Sequence, residues 1–165
     1  MQQSIYRSPL GPFFLWFHGE KLIYATFHEE QGLNFLAKHF PKSLGDLKPL
    51  QESYRQDLDS YFRGRKVNFE WSLTLIGTDF QKRVWRELQK IPHGQVTTYK
   101  RIAQLLDTRG FQAVGQAVGA NPISVIIPCH RVLGTHWFGG YGGGLSLKRL
   151  LLELENVTLA PNFQA

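Results

Sequence analysis

At 165 residues, with 42% apolar and 13% aromatic content, the chain has material for one domain or two small ones with a buried core. No apolar run is long enough to span a membrane, the start Met1-Gln2-Gln3-Ser4-Ile5-Tyr6-Arg7 lacks signal-peptide character, and one cysteine excludes an internal disulfide or a cysteine-rich zinc site and suits a reducing compartment. The net charge of +6 is uneven: residues 1–70 carry nine Lys/Arg against eight Asp/Glu, whereas residues 71–165 carry ten against five, so the second half is the polyanion-facing part.

In chain order, Pro9-Leu10-Gly11-Pro12 reads as a turn, and the runs Phe13 to His18 and Leu22 to Phe27, joined by Gly19-Glu20, read as a hairpin. Leu33 to Phe40 predicts a short helix stopped by Pro41. A second helix is expected to start near Leu47, with Leu50, Tyr54, Leu58, Tyr61 and Phe62 at helical spacing and Gly64 as its C-terminal cap. Val67, Phe69 and Trp71 alternate with polar residues as in a strand. Residues 1–72 thus read as an N-terminal α/β unit whose aromatics are core, with no catalytic constellation.

The boundary falls between Trp71 and Gly77, and residues 77–158 predict a mostly α-helical domain. Thr78 with Gln81 forms a capping box opening a helix whose buried stripe is Phe80, Val84, Trp85, Leu88 and Ile91. Pro92-His93-Gly94 ends it. Thr97 or Thr98 caps another helix with Ile102, Ala103 and Leu106 inward. After the turn Asp107-Thr108-Arg109-Gly110, Phe111 to Ala120 predicts a third helix, giving a helix-turn-helix candidate. That third helix is rich in Ala and Gly, which allows close approach of another helix or of a narrow groove. Ser146 is expected to cap a last helix with Leu147, Leu150, Leu151 and Leu154 inward, Lys148 and Glu155 two turns apart on one face, and a poorly ordered tail from Val157.

The chemistry centres on Ile126-Ile127-Pro128-Cys129-His130-Arg131-Val132. The apolar run from Ile123 to Ile127 predicts a buried strand ended by Pro128, which cannot donate to a ladder. Cys129 follows with an imidazole and a guanidinium directly after it, neighbours that favour a thiolate. Adjacent residues on an extended chain point opposite ways, so Cys129 and His130 cooperate only at a turn, or through a water. A lone cysteine without such neighbours is more often inert and buried.

The Pro-Cys-His-Arg run resembles the acceptor-site signature of the O6-alkylguanine-DNA alkyltransferases. The resemblance continues in order through Gly77-Thr78-Asp79-Phe80-Gln81, Val84-Trp85, Ile91-Pro92-His93-Gly94-Gln95-Val96-Thr97-Thr98-Tyr99, Ala113-Val114-Gly115, Asn121-Pro122, Gly140-Tyr141 and Gly143-Gly144-Leu145, ending with Lys148, Leu151, Leu152 and Glu155. Each piece is weak alone, but the ordered set is specific. The first seventy residues fit loosely.

That resemblance implies a ribonuclease-H-like N-terminal domain and a C-terminal alkyl-acceptor domain. It implies DNA repair by stoichiometric transfer of an alkyl group from O6-alkylguanine, and by extension O4-alkylthymine, to Cys129. By the same resemblance His130 takes the thiol proton through a water, Glu155 orients and stabilises the imidazolium, Tyr99 donates to N3 of the departing base, and Lys148 lies near the Cys129–Tyr99 region. Substrate contacts are implied at Val132, Tyr141, Gly142 and Asn121. DNA contacts are implied at Tyr99, Lys100, Gln112, Ala113, Arg131 and Thr135, through the minor groove of a duplex carrying the lesion. No metal, cofactor or membrane is implied. A monomer in a bacterial cytoplasm, or in the nucleus of a eukaryote, is expected.

The sequence departs from that pattern at three positions. Gln112 stands where an arginine commonly fills the gap left by the flipped base, Ser124 where some members have proline, and Gly142 where serine is frequent. Two other readings use the same residues. A Cys-His hydrolase would need an oxyanion hole and repeated turnover, and a non-catalytic damage sensor or helix-turn-helix regulator would not need the cysteine.

Overall fold

The computed structural model describes residues 1–43 and 45–159, so the end of the tail, residues 160–165, lies outside the described residues. The chain divides into two units, Met1–Ile76 with Pro122–Ser124, and Gly77–Asn121 with Val125–Ala165.

The first unit is built on β-branched and aromatic runs that fit a pleated surface. Strands β1 (Gln2–Ser8), β2 (Gly11–His18) and β3 (Lys21–Thr26) form an antiparallel meander, and the two-residue β4 (Asp46–Leu47) adds parallel to β1, giving the order β3-β2-β1-β4. The predicted hairpin is β2–β3, and Gly19 makes its turn at φ +62°. Both faces of β2 are buried. Trp16 packs with Ile23 of β3 and Leu36 of helix α1 (Glu29–His39). On the other face Phe17 stacks on Tyr54 of helix α2 (Glu52–Phe62), with 5.5 Å between ring centroids. Gly32 of α1 lies directly against the Trp16 ring, where a methyl group would overlap it.

Two expectations for this unit are corrected, and one strand was not read from the sequence. β1 is a full strand although its sequence shows no apolar alternation. α2 begins at Glu52 rather than near Leu47, because Leu47 is paired with Gln3 in β4 and Pro49 disfavours helical backbone at Lys48. Val67, Phe69 and Trp71 form no strand. Their alternation reflects packing on α2, where Phe69 meets Tyr61, Trp71 meets Tyr54, and Trp71 Nε1 donates to Asp57 at 2.7 Å.

In the second unit, Thr78 and Gln81 form the predicted capping box and open α3 (Asp79–Gln89). Thr98 ends β5 (Thr97–Thr98) and accepts from the Arg101 amide to cap α4 (Tyr99–Leu105). Asp107, at φ +52°, turns the chain before α5 (Phe111–Gly119). α4 and α5 are thus the helix-turn-helix pair. Val84, Trp85, Leu88, Ile102, Ala103, Val114 and Ala117 form the core between the three helices, and Trp85 Nε1 donates to the Ala117 carbonyl at 2.8 Å. A methyl at Gly115 or Gly119 would meet nothing within 4 Å. The small residues there are therefore not required by packing inside the unit.

The apolar run before the cysteine is buried but is not a strand. Ile123 makes one bridge to Ala25 within the first unit, and Val125 then sits at φ +72°, an outlier for a β-branched residue, so the chain turns instead of extending. Cys129–Arg131 form a single 3₁₀ turn leading into β6 (Val132–Leu133), which pairs in parallel with β5. The last helix, α6 (Leu145–Leu154), starts after Gly144 at φ +103°, not at a Ser146 cap. Its buried face is Lys148, Leu151, Leu152 and Glu155, while Leu150 is exposed. Val157 and Leu159, in the tail expected to be poorly ordered, pack against Leu133, Phe138 and Leu152. No described helix is long and apolar enough to cross a membrane.

The capping box makes a direct test of local stability. Thr78→Ala removes the acceptor for the Gln81 amide and is expected to cost about 1 kcal/mol, read as a lowered urea midpoint. An unchanged midpoint would show that α3 is held by its packing alone.

Candidate active site

Cys129 is placed by backbone constraints on both sides. Pro128 fixes the entry to the 3₁₀ turn, the Cys129 amide donates to the Ile127 carbonyl at 2.8 Å, and Asn121 Nδ2 donates to that carbonyl at 2.8 Å. The side chain is only 7% exposed, and it forms part of the wall of a cavity of about 660 Å³. Burial pushes the thiol above its ordinary range, while hydrogen bonding from Asn121 and the positive charge of Lys148 oppose that shift.

Behind the thiol lies a buried ionic group. His130 Nε2 is hydrogen-bonded to Oε2 of Glu155, the residue that follows α6, and Arg131 Nε donates to Glu155 Oε1 at 2.6 Å. Arg131 also donates to the Ile91 carbonyl at 2.7 Å, and the Gly94 amide reaches Glu155 Oε1 at 3.4 Å. Burial pushes the Glu155 carboxyl up, but the hydrogen bonds from His130 and Arg131 and the Arg131 cation together outweigh it and hold the carboxyl well below the usual range. Burial also pulls the His130 pKa down, against the opposing pull of Glu155, so the ring stays neutral. An ionised carboxylate only accepts, which assigns the proton to Nε2 and leaves Nδ1 basic. Nδ1 is buried and has no hydrogen-bond partner among the described residues.

Lys148 is fully buried, yet its ammonium donates to three carbonyls, Val132 at 2.7 Å, Phe138 at 2.8 Å and Gly140 at 3.0 Å, and lies 5.1 Å from the centre of the Phe138 ring. Burial lowers its pKa to about 8. The Tyr99 hydroxyl accepts from the Gly140 amide at 3.3 Å, and burial raises its pKa. One lysine and one tyrosine thus clamp the backbone of the glycine-rich loop that forms part of the cavity wall.

The predicted residues divide clearly. Tyr99, Lys100, Gln112, Thr135, Tyr141 and Gly142 line the cavity with Cys129. His130, Glu155 and Lys148 support it from behind, and Val132 offers only a backbone carbonyl, already engaged by Lys148. Ala113 is exposed on the outer face of α5 beside Gln112. The expectation that Arg131 contacts DNA is corrected: its guanidinium is buried and committed to Glu155 and the Ile91 carbonyl. Trp137 on the loop after β6 lines the cavity and was not singled out from the sequence. A signal was there, since an aromatic residue between His136 and a glycine run is unusual in an otherwise loop-like stretch.

These features coincide with known sequence patterns. Residues 79–157 match the 6-O-methylguanine DNA methyltransferase DNA-binding domain, and residues 1–75 match the ribonuclease-like domain of the same family. The methylated-DNA–protein-cysteine methyltransferase of Mycobacterium tuberculosis is 40% identical over 153 residues, covering 90% of this chain and 88% of its own. That of Methanosarcina barkeri is 38% identical over 161 residues, covering 96% and 99%. The crystal structure of Mycobacterium tuberculosis OGT in complex with DNA superposes with a TM-score of 0.78 at 37% identity, covering 94% of this chain and 92% of that one. An N-terminal sheet with flanking helices, followed by a helix-turn-helix unit with a buried cysteine on a cavity, is the arrangement that these matches share: a ribonuclease-like part and a DNA-binding part. The chain belongs to the 6-O-methylguanine DNA methyltransferase family.

The buried group sets a pH dependence. The folded pKa of His130 lies below its ordinary 6.5, so the unfolded chain binds more protons and stability falls as pH drops below 6.5. The folded pKa of Glu155 lies below its ordinary 4.5, so its contribution is present above 4.5 and is lost as pH falls further. Glu155→Gln leaves the Arg131 cation buried without a counter-charge and is expected to cost about 3–5 kcal/mol at neutral pH. Denaturant titrations at several pH values should also show a flatter decline below pH 4.5 in that variant. An equally steep decline would mean that other carboxylates carry the acid sensitivity.

Proposed function

We propose that this protein repairs DNA by moving the alkyl group of O6-alkylguanine, and of O4-alkylthymine, onto Cys129, once per molecule. The observation that carries this reading is the buried Cys129–His130–Glu155 arrangement opening on a cavity, in a chain of the 6-O-methylguanine DNA methyltransferase family.

In the proposed step the Cys129 thiol gives its proton to His130 Nδ1 through a water, and Glu155 stabilises the resulting imidazolium. The thiolate attacks the alkyl carbon. An S–C bond forms, the O6–C bond breaks, and its electron pair leaves with guanine. Tyr99 supplies a proton at N3 of the departing base. The second lone pair of the Val132 carbonyl and the Cys129 carbonyl accept from the N2 amine, and the Gly142 amide donates to O6. Tyr141 forms a wall for the base, and Asn121 fixes the turn before Cys129. Lys148 holds the loop backbone around the base and stabilises negative charge on the sulfur. A Cys-His hydrolase fits less well. The Cys129 and Arg131 amides next to the nucleophile are already engaged by the Ile127 and Pro128 carbonyls, and are not free to bind an oxyanion.

The base must leave the duplex to reach a thiol at the wall of this cavity. The exposed outer side of α5, with Gln112, Ala113 and the unpacked Gly115 and Gly119, suits close approach to a minor groove, with Lys100 and Thr135 at the rim of the cavity. The protein acts as a monomer on double-stranded DNA in a reducing compartment that holds DNA, the cytoplasm of a bacterium or the nucleus of a eukaryote.

Mixing with duplex DNA carrying one O6-methylguanine should add one methyl group per protein, measured by intact-protein mass, and none to Cys129→Ser, which keeps DNA binding. Several turnovers per active site would contradict the proposal.

The helix that faces DNA supports a second test. Phe111 opens α5 and is 50% exposed at the cavity, whereas Gln112 lacks a guanidinium. Gln112→Arg is expected to change single-turnover rates little, while Phe111→Ala or Arg109→Ala slows repair of duplex DNA and spares free alkylguanine. A large gain from Gln112→Arg would instead make residue 112 the limiting position. Duplex rates equal to the parent in all three variants would mean that none of these side chains assists flipping.

A further inference from the structure

The mechanism above leaves unused the most exposed aromatic side chain among the described residues of the second unit. Trp137 is 59% exposed, whereas Trp16, Trp71 and Trp85 are 0%, 8% and 1% exposed. It lines the same cavity as Cys129. An indole half in water is a costly thing to display, so its immobilisation is informative. It is held from two sides. One edge rests on Gly134, where even a methyl group would overlap the ring. It also stacks in an offset arrangement on Tyr99, with centroids 6.2 Å apart and planes 21° apart. Tyr99 is in turn tied to the Gly140 amide. The indole is therefore preorganised with an apolar surface open to solvent at the edge of the cavity.

The charge around it specifies the occupant. Among the described residues, the cavity lining includes Lys100 and no carboxylate. Arg101, next in sequence on α4, is exposed. A flat apolar surface on a cavity that also holds the Lys100 cation fits a nucleobase on a phosphate backbone, because every base has a π-face and the backbone needs cations.

We propose that Trp137 is a stacking platform that captures an unstacked nucleobase of the DNA strand at the cavity before the alkylated base reaches Cys129. This rests on the DNA-repair reading and adds to it a positioning residue outside the Cys129–His130–Glu155 group. Capture by stacking does not depend on base identity, so Trp137 raises the encounter rate on any alkylated DNA strand. It contributes nothing to the displacement itself.

The test combines two measurements. In the Cys129→Ser protein, where no transfer occurs, titration with O6-methylguanine DNA should quench tryptophan emission, and the quench should disappear when Trp137→Phe is added. In the protein with its cysteine, Trp137→Ala should lower the second-order rate of methyl transfer about tenfold on both single-stranded and duplex DNA, the factor expected for loss of one base–aromatic stack. Trp137→Phe should recover most of that rate. Gly134→Ala, which displaces the indole without removing it, should reproduce the loss. Alkylation of Cys129 by iodoacetamide should be unchanged by Trp137→Ala. Unquenched emission, parental rates for Trp137→Ala on both DNA forms, or equal losses toward DNA and iodoacetamide would each overturn the proposal. A parent protein that takes no methyl group from DNA would overturn the repair reading itself, an outcome separate from any behaviour of Trp137.

Discussion

One carboxylate organises the functional half of the molecule. Glu155, the residue after α6, is shared by two consecutive residues of the 3₁₀ turn, His130 and Arg131. Through Arg131 it reaches the Ile91 carbonyl just beyond α3, and through its own oxygen the Gly94 amide. Three stretches distant in sequence, Ile91 to Gly94, His130–Arg131 and Glu155, are joined at one buried charge. Such a group is expensive to desolvate, and replacing it with apolar side chains of the same volume could give a more stable protein. What the charges supply is a defined tautomer of a buried imidazole next to a thiol, which no leucine could provide.

Burial acts in opposite senses on the two partners of the proposed reaction. It raises the thiol pKa and lowers that of the histidine, so the resting pair is thiol and neutral imidazole rather than thiolate and imidazolium. A permanently ionised thiol would react with any electrophile that entered. A neutral pair with an ionised Glu155 behind it develops charge only when an electrophile is in place, and the carboxylate then stabilises the imidazolium as it forms. Lys148 adds a fixed donor array at the other side, its pKa of about 8 keeping it mainly charged at neutral pH. A neutral amine there would leave the Val132, Phe138 and Gly140 carbonyls with fewer donors and loosen the loop that forms the cavity wall.

Much of this was legible in the sequence where one local rule dominates. The capping box at Thr78 and Gln81, the Thr98 cap and the Gly19 turn each depend on a few adjacent atoms. His130, Glu155 and Lys148 could be named beside Cys129 because the ordered motifs carry the family resemblance, and the structure brings these side chains together. The errors arose where tertiary partners overrode local pattern. The stripe on α6 was read from its leucines alone, with Leu150 expected inward. Instead Lys148 and Glu155 point inward, because carbonyls and a histidine await them, and Leu150 is left outside. Arg131 failed as a DNA contact for the same reason: an arginine beside a catalytic motif reads as a surface cation until the buried carboxylate is seen. The run before Pro128 has the composition of a strand, and only the turn at Val125 shows that burial does not imply extension.

The enclosure that would make transfer possible also explains why it would happen once. A displacement at saturated carbon gains from a dry, preorganised site, since water competes for the electrophile and solvates the nucleophile. Cys129 at 7% exposure meets that need. The product of the proposed step is a thioether, which no longer ionises and leaves His130 nothing to deprotonate. Releasing the alkyl group would require a second nucleophile in line behind the same carbon, and the chain has no other cysteine. Glu155 is committed to His130 and Arg131, and Lys148 donates to three carbonyls, so neither is placed to attack. Reopening the site to water would raise the chance of hydrolysis only by giving up the desolvation on which the forward step depends. Single use thus follows from the same burial that would make the thiol effective.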